Sequence, residues 1–262
     1  MPEPPTSPPQ RIVCLCPSIT EALFEIGAGP RVVGVTDYCV HPADAVEALP
    51  KVGGSKLPNL DAIFELSPDL VIMNEEENRV EDFEAIQERG IPILNTFPKT
   101  VAESAHMMRD VGRAVGCVEA AEESARAIER AVASAKSQSS QKPRLRGAVL
   151  IWMRPFMGVN ADTFMHDMLA LAGIDNVFGS RPQRYPRLEA ADLRCGLDVI
   201  LLPNEPFEFV GQHATEIAAA AGIPTARAVL CDGQFLTWYG TRTPRGVEYA
   251  VKLTERIRGL AG

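Results

Sequence analysis

The features that most quickly assign a function are missing here, and each absence removes a class. No apolar run approaches the roughly 18–20 residues that cross a bilayer; the longest candidates, "AVLI" and "DVILLP", are strand-sized. The start, "MPEPPTSPPQ", has neither the basic residues nor the apolar stretch of a secretion signal. Its Pro-rich, polar composition predicts a flexible tail over residues 1–10. The expected location is cytoplasmic as written, or periplasmic or otherwise extracytoplasmic if the sequence is a trimmed mature form. Positive charge is short: 26 Lys and Arg stand against 34 Asp and Glu, a net charge of -8. Phosphate-backbone binding needs clustered cations, so no nucleic-acid partner is expected. After the first apolar strand stands "CPSITEA" rather than G-x-G-x-x-G, which argues against dinucleotide binding. His41, His106, His166 and His213 are far apart and form no H-x-x-x-H or H-E-x-x-H pattern; no metal site and no resident cofactor are expected. The six cysteines are scattered, unlike a disulfide scaffold. Cys14 and Cys16 share one face of a strand, where small apolar filling is the simpler reading.

What is present is ordinary globular material, 46% hydrophobic and 23% charged, enough for one large domain or two small ones. A pattern recurs after about 130 residues. "ELSPDLVIMNEEEN" (65–78) is echoed by "LRCGLDVILLPNEPFE" (193–208), and "RGIPILNTF" (89–97) by "AGIPTARAV" (221–229). In each copy an Asp-led apolar strand ends in Asn-Glu, and a Gly closes a helix before an Ile-Pro. β-branched runs alternate with amphipathic helices, the signature of βαβ units and a parallel sheet. Strands are expected near 11–16, 32–36, 70–73 and 92–95, then 147–152, 198–202 and 225–229. Ser18-Ile19-Thr20-Glu21 has the spacing of a capping box, with Gly27 ending that helix. Thr243-Pro244 should open the last one.

Between the copies, residues 99–142 contain almost no strand formers and break near Gly116. Two helices are expected, the second over about 118–138, with Ala121, Ala125, Ile128, Val132 and Ala135 at helical spacing. The fold class is therefore α/β: two Rossmann-like lobes with parallel sheets, 11–98 and 143–262, joined by a helical connector with one long backbone helix. Such a stiff link implies little closure on ligand binding.

Ligands of open parallel sheets sit beyond the carboxyl ends of the strands. The residues that fall there are Pro17, Ser18, Asp37, Tyr38, His41, Asn74, Glu75, Glu76, Phe97, Arg154, Phe156, Asn204 and Glu205, with Trp238 and Tyr239 further on. Aromatic and polar together, they suit a large amphiphilic ligand in a cleft between lobes. Other readings stay open: Tyr38 and Trp238 as plain packing, the Glu75–Glu77 run as a solvated loop, His41 as shaping the turn before Pro42. A Cys39–His41 nucleophile and base, with Glu75 and Glu205 as partner carboxylates, is the enzymatic alternative; no third orienting group is evident.

The stretches "RIVCLCPSITEALFEIGA", "VVGVTDYCVHP", "NLDAIFELSPDLVI", the two "GIP" and "WYGTRTPR" resemble the cobalamin- and iron-complex-binding substrate-binding proteins of ABC transporters, the helical-backbone metal receptors, over nearly the whole chain from Arg11. The resemblance implies a non-catalytic protein, expected to be a monomer, that holds a corrinoid in the interlobe cleft and delivers it to an ABC transporter. It implies contacts by Pro17, Tyr38 and Trp238, with Tyr185-Pro186 in place of a Trp-Pro. Ser55 and Asn74 stand where the cobalamin branch has tryptophans. Transporter docking would use Asp61 and, beside Ala190, Glu189. The alternative within the family is a ferric-siderophore or haem protein, in which Arg154, Arg184, Arg187 and Arg242 meet anionic groups or Tyr38 and His41 ligate iron.

Overall fold

The computed structural model describes residues 7–260. They form two compact units. The first comprises the described residues through Pro98, with Ala102–Ile128 and Tyr239–Arg242; the second comprises Lys99–Val101, Glu129–Trp238 and Thr243 onward. The expected connector is thus no separate body. Its first helix and the first half of its second belong to the first unit, because their apolar faces are buried there.

In chain order the first unit runs β1 (Ile12–Cys14), α1 (Pro17–Glu25), β2 (Val32–Val35), α2 (Ala43–Glu47), α3 (Leu60–Glu65), β3 (Leu70–Asn74), α4 (Val80–Glu88) and β4 (Ile93–Thr96). Helices α5 (Val101–Val115) and α6 (Val118–Ser139) follow, separated at Gly116, whose φ of 71° a side chain would resist. The second unit continues with β5 (Leu145–Val149), β6 (Phe156–Met157), α7 (Phe164–Leu171), β7 (Ile174–Asn176), β8 (Arg187–Leu188), β9 (Val199–Pro203), α8 (Gly211–Ala221), β10 (Ala228–Cys231), α9 (Gly233–Thr237) and α10 (Thr243–Gly259).

The first sheet has the order β2-β1-β3-β4 and the second β10-β9-β5-β7, every pairing parallel. Read from its own first strand, the second sheet repeats the order of the first, so β3 answers to β9 and β4 to β10. The duplication read from sequence is structural. Its Asp has a physical role in both copies. Asp69 accepts the backbone N–H of Arg11 at 2.8 Å, and Asp198 accepts that of Arg146 at 2.7 Å, each carboxylate satisfying a donor where the neighbouring strand begins. Both arginines then fold back onto the carbonyls that precede those aspartates, Leu66 at 2.6 Å and Cys195 at 3.1 Å.

Each unit has its own core. Val13, Leu15, Val52, Ile63, Val71, Met73 and Ile86 fill one face of the first sheet. Leu150, Phe178, Leu188, Ile200, Leu202 and Ile217 are among those filling the corresponding face of the second.

Several expectations need correction. Helix α1 starts at Pro17 with Cys16 as its N-cap and no side-chain cap; the fixed φ of Pro17 suits the first helical position. Ser18 is therefore inside the helix, and Glu21 is drawn to Arg242 instead, its two oxygens accepting at 2.6 and 2.7 Å. Gly27 does end the turn, at φ 88°. Strand β5 stops at Val149 rather than 152, because Ile151 and Met157 turn into the small antiparallel pair β6–β8. Residues 225–227 are a 3-10 turn, so β10 starts at Ala228. Strand β7 was missed: "IDN" has too little apolar pattern to be seen. Within the stretch expected as a tail, Pro9 is buried and its carbonyl accepts from Arg31, while Gln10 donates its N–H to Asp69. Residues 1–6 lie outside the described residues.

Candidate functional site

Parallel pairing puts the loops after β1, β2, β3 and β4 at one edge of the first sheet. Pro17 is half-buried at the start of α1, and Ser18 beside it is 4% exposed, its hydroxyl 3.4 Å from the Cys16 thiol. After β2 the chain alternates sharply. Asp37 and Tyr38 are exposed, Cys39 is buried, Val40 is exposed and His41 half-buried. The Cys39 sulfur lies 3.2 Å from both the Thr20 and the Thr36 hydroxyls. Burial raises its pKa above the ordinary thiol value, outweighing those bonds. A buried thiol held as the neutral form is a poor nucleophile, which removes the enzymatic alternative at this pair.

Tyr38 is the outward group of that loop, 64% exposed. It lies along Gly54 so closely that an added Cβ there would sit 3.4 Å from its Cε2. At the end of β3, Asn74 is wholly buried. Its amide donates to Thr96 at 3.0 Å and its carbonyl oxygen accepts the N–H of Glu76 at 2.9 Å. The side chain is spent on holding the turn. Glu75 is exposed and accepts from Asn95 at 3.2 Å.

The corresponding edge of the second sheet joins two of the anticipated residues directly. Trp238 donates its Nε1–H to Glu205 at 2.8 Å, and Thr237 approaches the same oxygen at 3.5 Å. Gly233 makes this possible: a Cβ there would lie 2.5 Å from Glu205 Cγ. Asn204 accepts the Gly233 N–H at 2.8 Å, and Asp232 caps α9 by accepting from Gln234 and Phe235. Trp238 is consequently buried, as is Tyr239, which falls in the first unit. Phe156, half-buried on β6, packs on the core of the second unit. Tyr185 is half-buried with the Arg184 guanidinium 5.9 Å from its ring centre. Asp61, in the first turn of α3, and Glu189, after β8, are both exposed.

Sequence reasoning passed over an aromatic cluster at the same edge. Trp152, 42% exposed after β5, meets Phe207 edge-on at 5.4 Å, and Phe207 meets Phe209 at 4.8 Å and the His213 ring at 5.3 Å. Trp152 lay inside the stretch read as strand, which hid it; with β5 ending at Val149 it becomes a loop residue. Among the described residues, no group of three or more His, Cys, Asp or Glu side chains is placed to hold a metal ion, and no helix is long and apolar enough to cross a membrane.

Two sheets of identical strand order, a helix that begins in one unit and ends in the other, and polar and aromatic loops at the strand ends are the architecture of the solute-binding proteins. The chain belongs to the periplasmic binding protein family, which matches residues 12–192. It is similar to the vitamin B12-binding protein of Vibrio cholerae serotype O1, 22% identical over 207 residues, covering 79% of this chain and 72% of that protein. Two solved structures share the fold. The periplasmic vitamin B12-binding protein BtuF of Vibrio cholerae has a TM-score of 0.82 at 20% identity, covering 96% of this chain and 98% of that one. The periplasmic heme-binding protein RhuT of Roseiflexus sp. RS-1, in apo form, has a TM-score of 0.83 at 23% identity, covering 97% and 99%.

Proposed function

We propose that this protein binds a corrinoid of the cobalamin type through the loops at the carboxyl ends of its strands, and delivers it to an ABC transporter from an extracytoplasmic compartment, as a monomer. The family and the B12-binding relatives support the ligand class and the compartment. One observation carries the choice between ligands: the arginines available to an anionic ligand already have carboxylate partners. Arg154 bonds Glu216 at 3.0 Å, Arg184 bonds Asp162 at 2.8 Å, Arg242 bonds Glu21 at 2.6 Å, and Arg187 lies 3.9 Å from Glu189. A ligand bearing free carboxylates would compete with these carboxylates for the arginines, and at Arg242 with a buried partner. A macrocycle fringed with neutral amides asks only for apolar area and hydrogen bonds, which Pro17, Tyr38, Asp37, His41, Glu75, Tyr185 and Glu205 supply. Ser18, Asn74, Trp238 and Tyr239 are buried and drop out as direct contacts.

Titration of the purified protein with cyanocobalamin tests this. Binding at tens of micromolar or tighter is expected, and its absence overturns the reading. Tyr38→Ala should weaken binding by about 1–3 kcal/mol, as loss of an aromatic contact does, while Asp61→Ala, reserved for transporter docking with Glu189, should leave affinity unchanged. The second reading, a haem or ferric-siderophore protein, is favoured by the heme-binding protein of the same fold. Hemin binding tighter than cyanocobalamin, or an iron-containing coloured preparation, would put it first.

A further inference from the structure

We propose that Leu57 is a specificity-determining ligand contact of the first unit, forming with Tyr38 an apolar shelf on which the macrocycle rests; this rests on the corrinoid reading above. Leu57 is 69% exposed, more than Tyr38, and Val40 is 45% exposed. These three are large apolar side chains facing water on two loops that are bonded to each other. Asp37 donates its N–H to Gly53 at 2.9 Å, Leu57 donates its own to Gly54 at 3.2 Å, and the Tyr38 ring lies against Gly54.

The loop that carries Leu57 is held from both sides. Asn59 donates to Val52 at 2.7 Å across its base, and Gly53, at φ 86°, makes the turn. Lys56 donates to the Glu76 carbonyl at 2.6 Å, and Asn78 donates to the Ser55 carbonyl at 2.9 Å, fastening the loop to the segment after β3. Ser55 is 3% exposed, while Lys56 and Leu57 after it face water. The Ser55 hydroxyl is buried with no hydrogen-bond partner, while the backbone of this loop is bonded on both sides. A leucine 69% exposed on a pinned loop adds little to the packing of the fold. Beside an exposed tyrosine at the strand ends, it serves a flat apolar surface that arrives from outside.

The full chain and three variants, Leu57→Asp, Leu57→Phe and Ser55→Ala, are titrated with cyanocobalamin, with thermal melting recorded for each. Leu57→Asp is expected to bind at least tenfold more weakly with unchanged melting. Leu57→Phe should bind within threefold of wild type. Ser55→Ala should bind as wild type and melt no lower, since it removes an unpaired buried hydroxyl. Wild-type binding with Leu57→Asp within twofold overturns the assignment of Leu57 and leaves the corrinoid reading standing. No wild-type binding overturns both.

Discussion

A thiol beside an exposed tyrosine reads as chemistry until its burial is known. Cys14, Cys16, Cys39 and Cys231 are all buried, and desolvation pushes Cys14 and Cys231 up to about 12, so thiolate is not available at neutral pH. Cys195 is the exposed one of the six. Ellman's reagent on the native protein should label it first, and Cys195→Ser should abolish the fast phase. Survival of that phase would mean that half-buried Cys117 or a thiol read as buried is open. A second residue-scale feature is the pair between Glu21 on α1 and Arg242, whose side chains are 8% and 10% exposed. Removing one partner strands a buried charge, so Arg242→Met should cost about 3–5 kcal/mol in urea unfolding. The Glu21→Gln, Arg242→Met double variant should lose less than the sum of the two singles. Additive losses would show that the two groups do not interact.

At the scale of elements, α5 and α6 meet at Gly112, where an added Cβ would lie 2.2 Å from that of Ala121. That close approach lets Arg109 of α5 reach Glu122 of α6 at 2.7 Å, while Arg126, one turn on, binds the same carboxylate at 2.9 Å. Hydrogen bonds from the two arginines lower the Glu122 pKa from 4.5 to about 2. A carboxylate depressed in the folded state contributes stability above pH 4.5 and loses it as pH falls toward 2. Wild type should therefore be more stable than Glu122→Gln at pH 7, with the gap closing between pH 4.5 and 2; a gap constant with pH would refute the pairing. The helices themselves were legible: α6 was expected over about 118–138 and runs Val118–Ser139, because Ala and Glu favour helix and neither Gly nor Pro interrupts it. Short strands were less so. β5 was placed two residues late, since apolar content continues past the point where the backbone leaves the sheet.

For the whole molecule, ligand binding and unfolding are linked. At about 100 times its Kd a ligand adds roughly 2.7 kcal/mol, and at about 2–4 °C per kcal/mol for a chain of this size cyanocobalamin should raise the melting temperature by about 5–10 °C. Differential scanning calorimetry with and without ligand measures it, with hemin at matched concentration as comparison. A larger shift with hemin would reverse the ligand preference.

The amino-acid order alone determined the duplicated α/β plan, because its signals are local: an Asp before each apolar strand, a Gly after each helix, Ala and Glu through α6. It also placed Tyr38 and Glu205 after their strands. Only the tertiary structure decided which of these residues are free to act, because exposure depends on what the rest of the chain packs against. Asn74 and Trp238 are polar and aromatic by composition but are consumed by Thr96 and Glu205, whereas Trp152 and Leu57 look like core residues and face water. Those pairings join residues some twenty to thirty positions apart, and no local pattern encodes them.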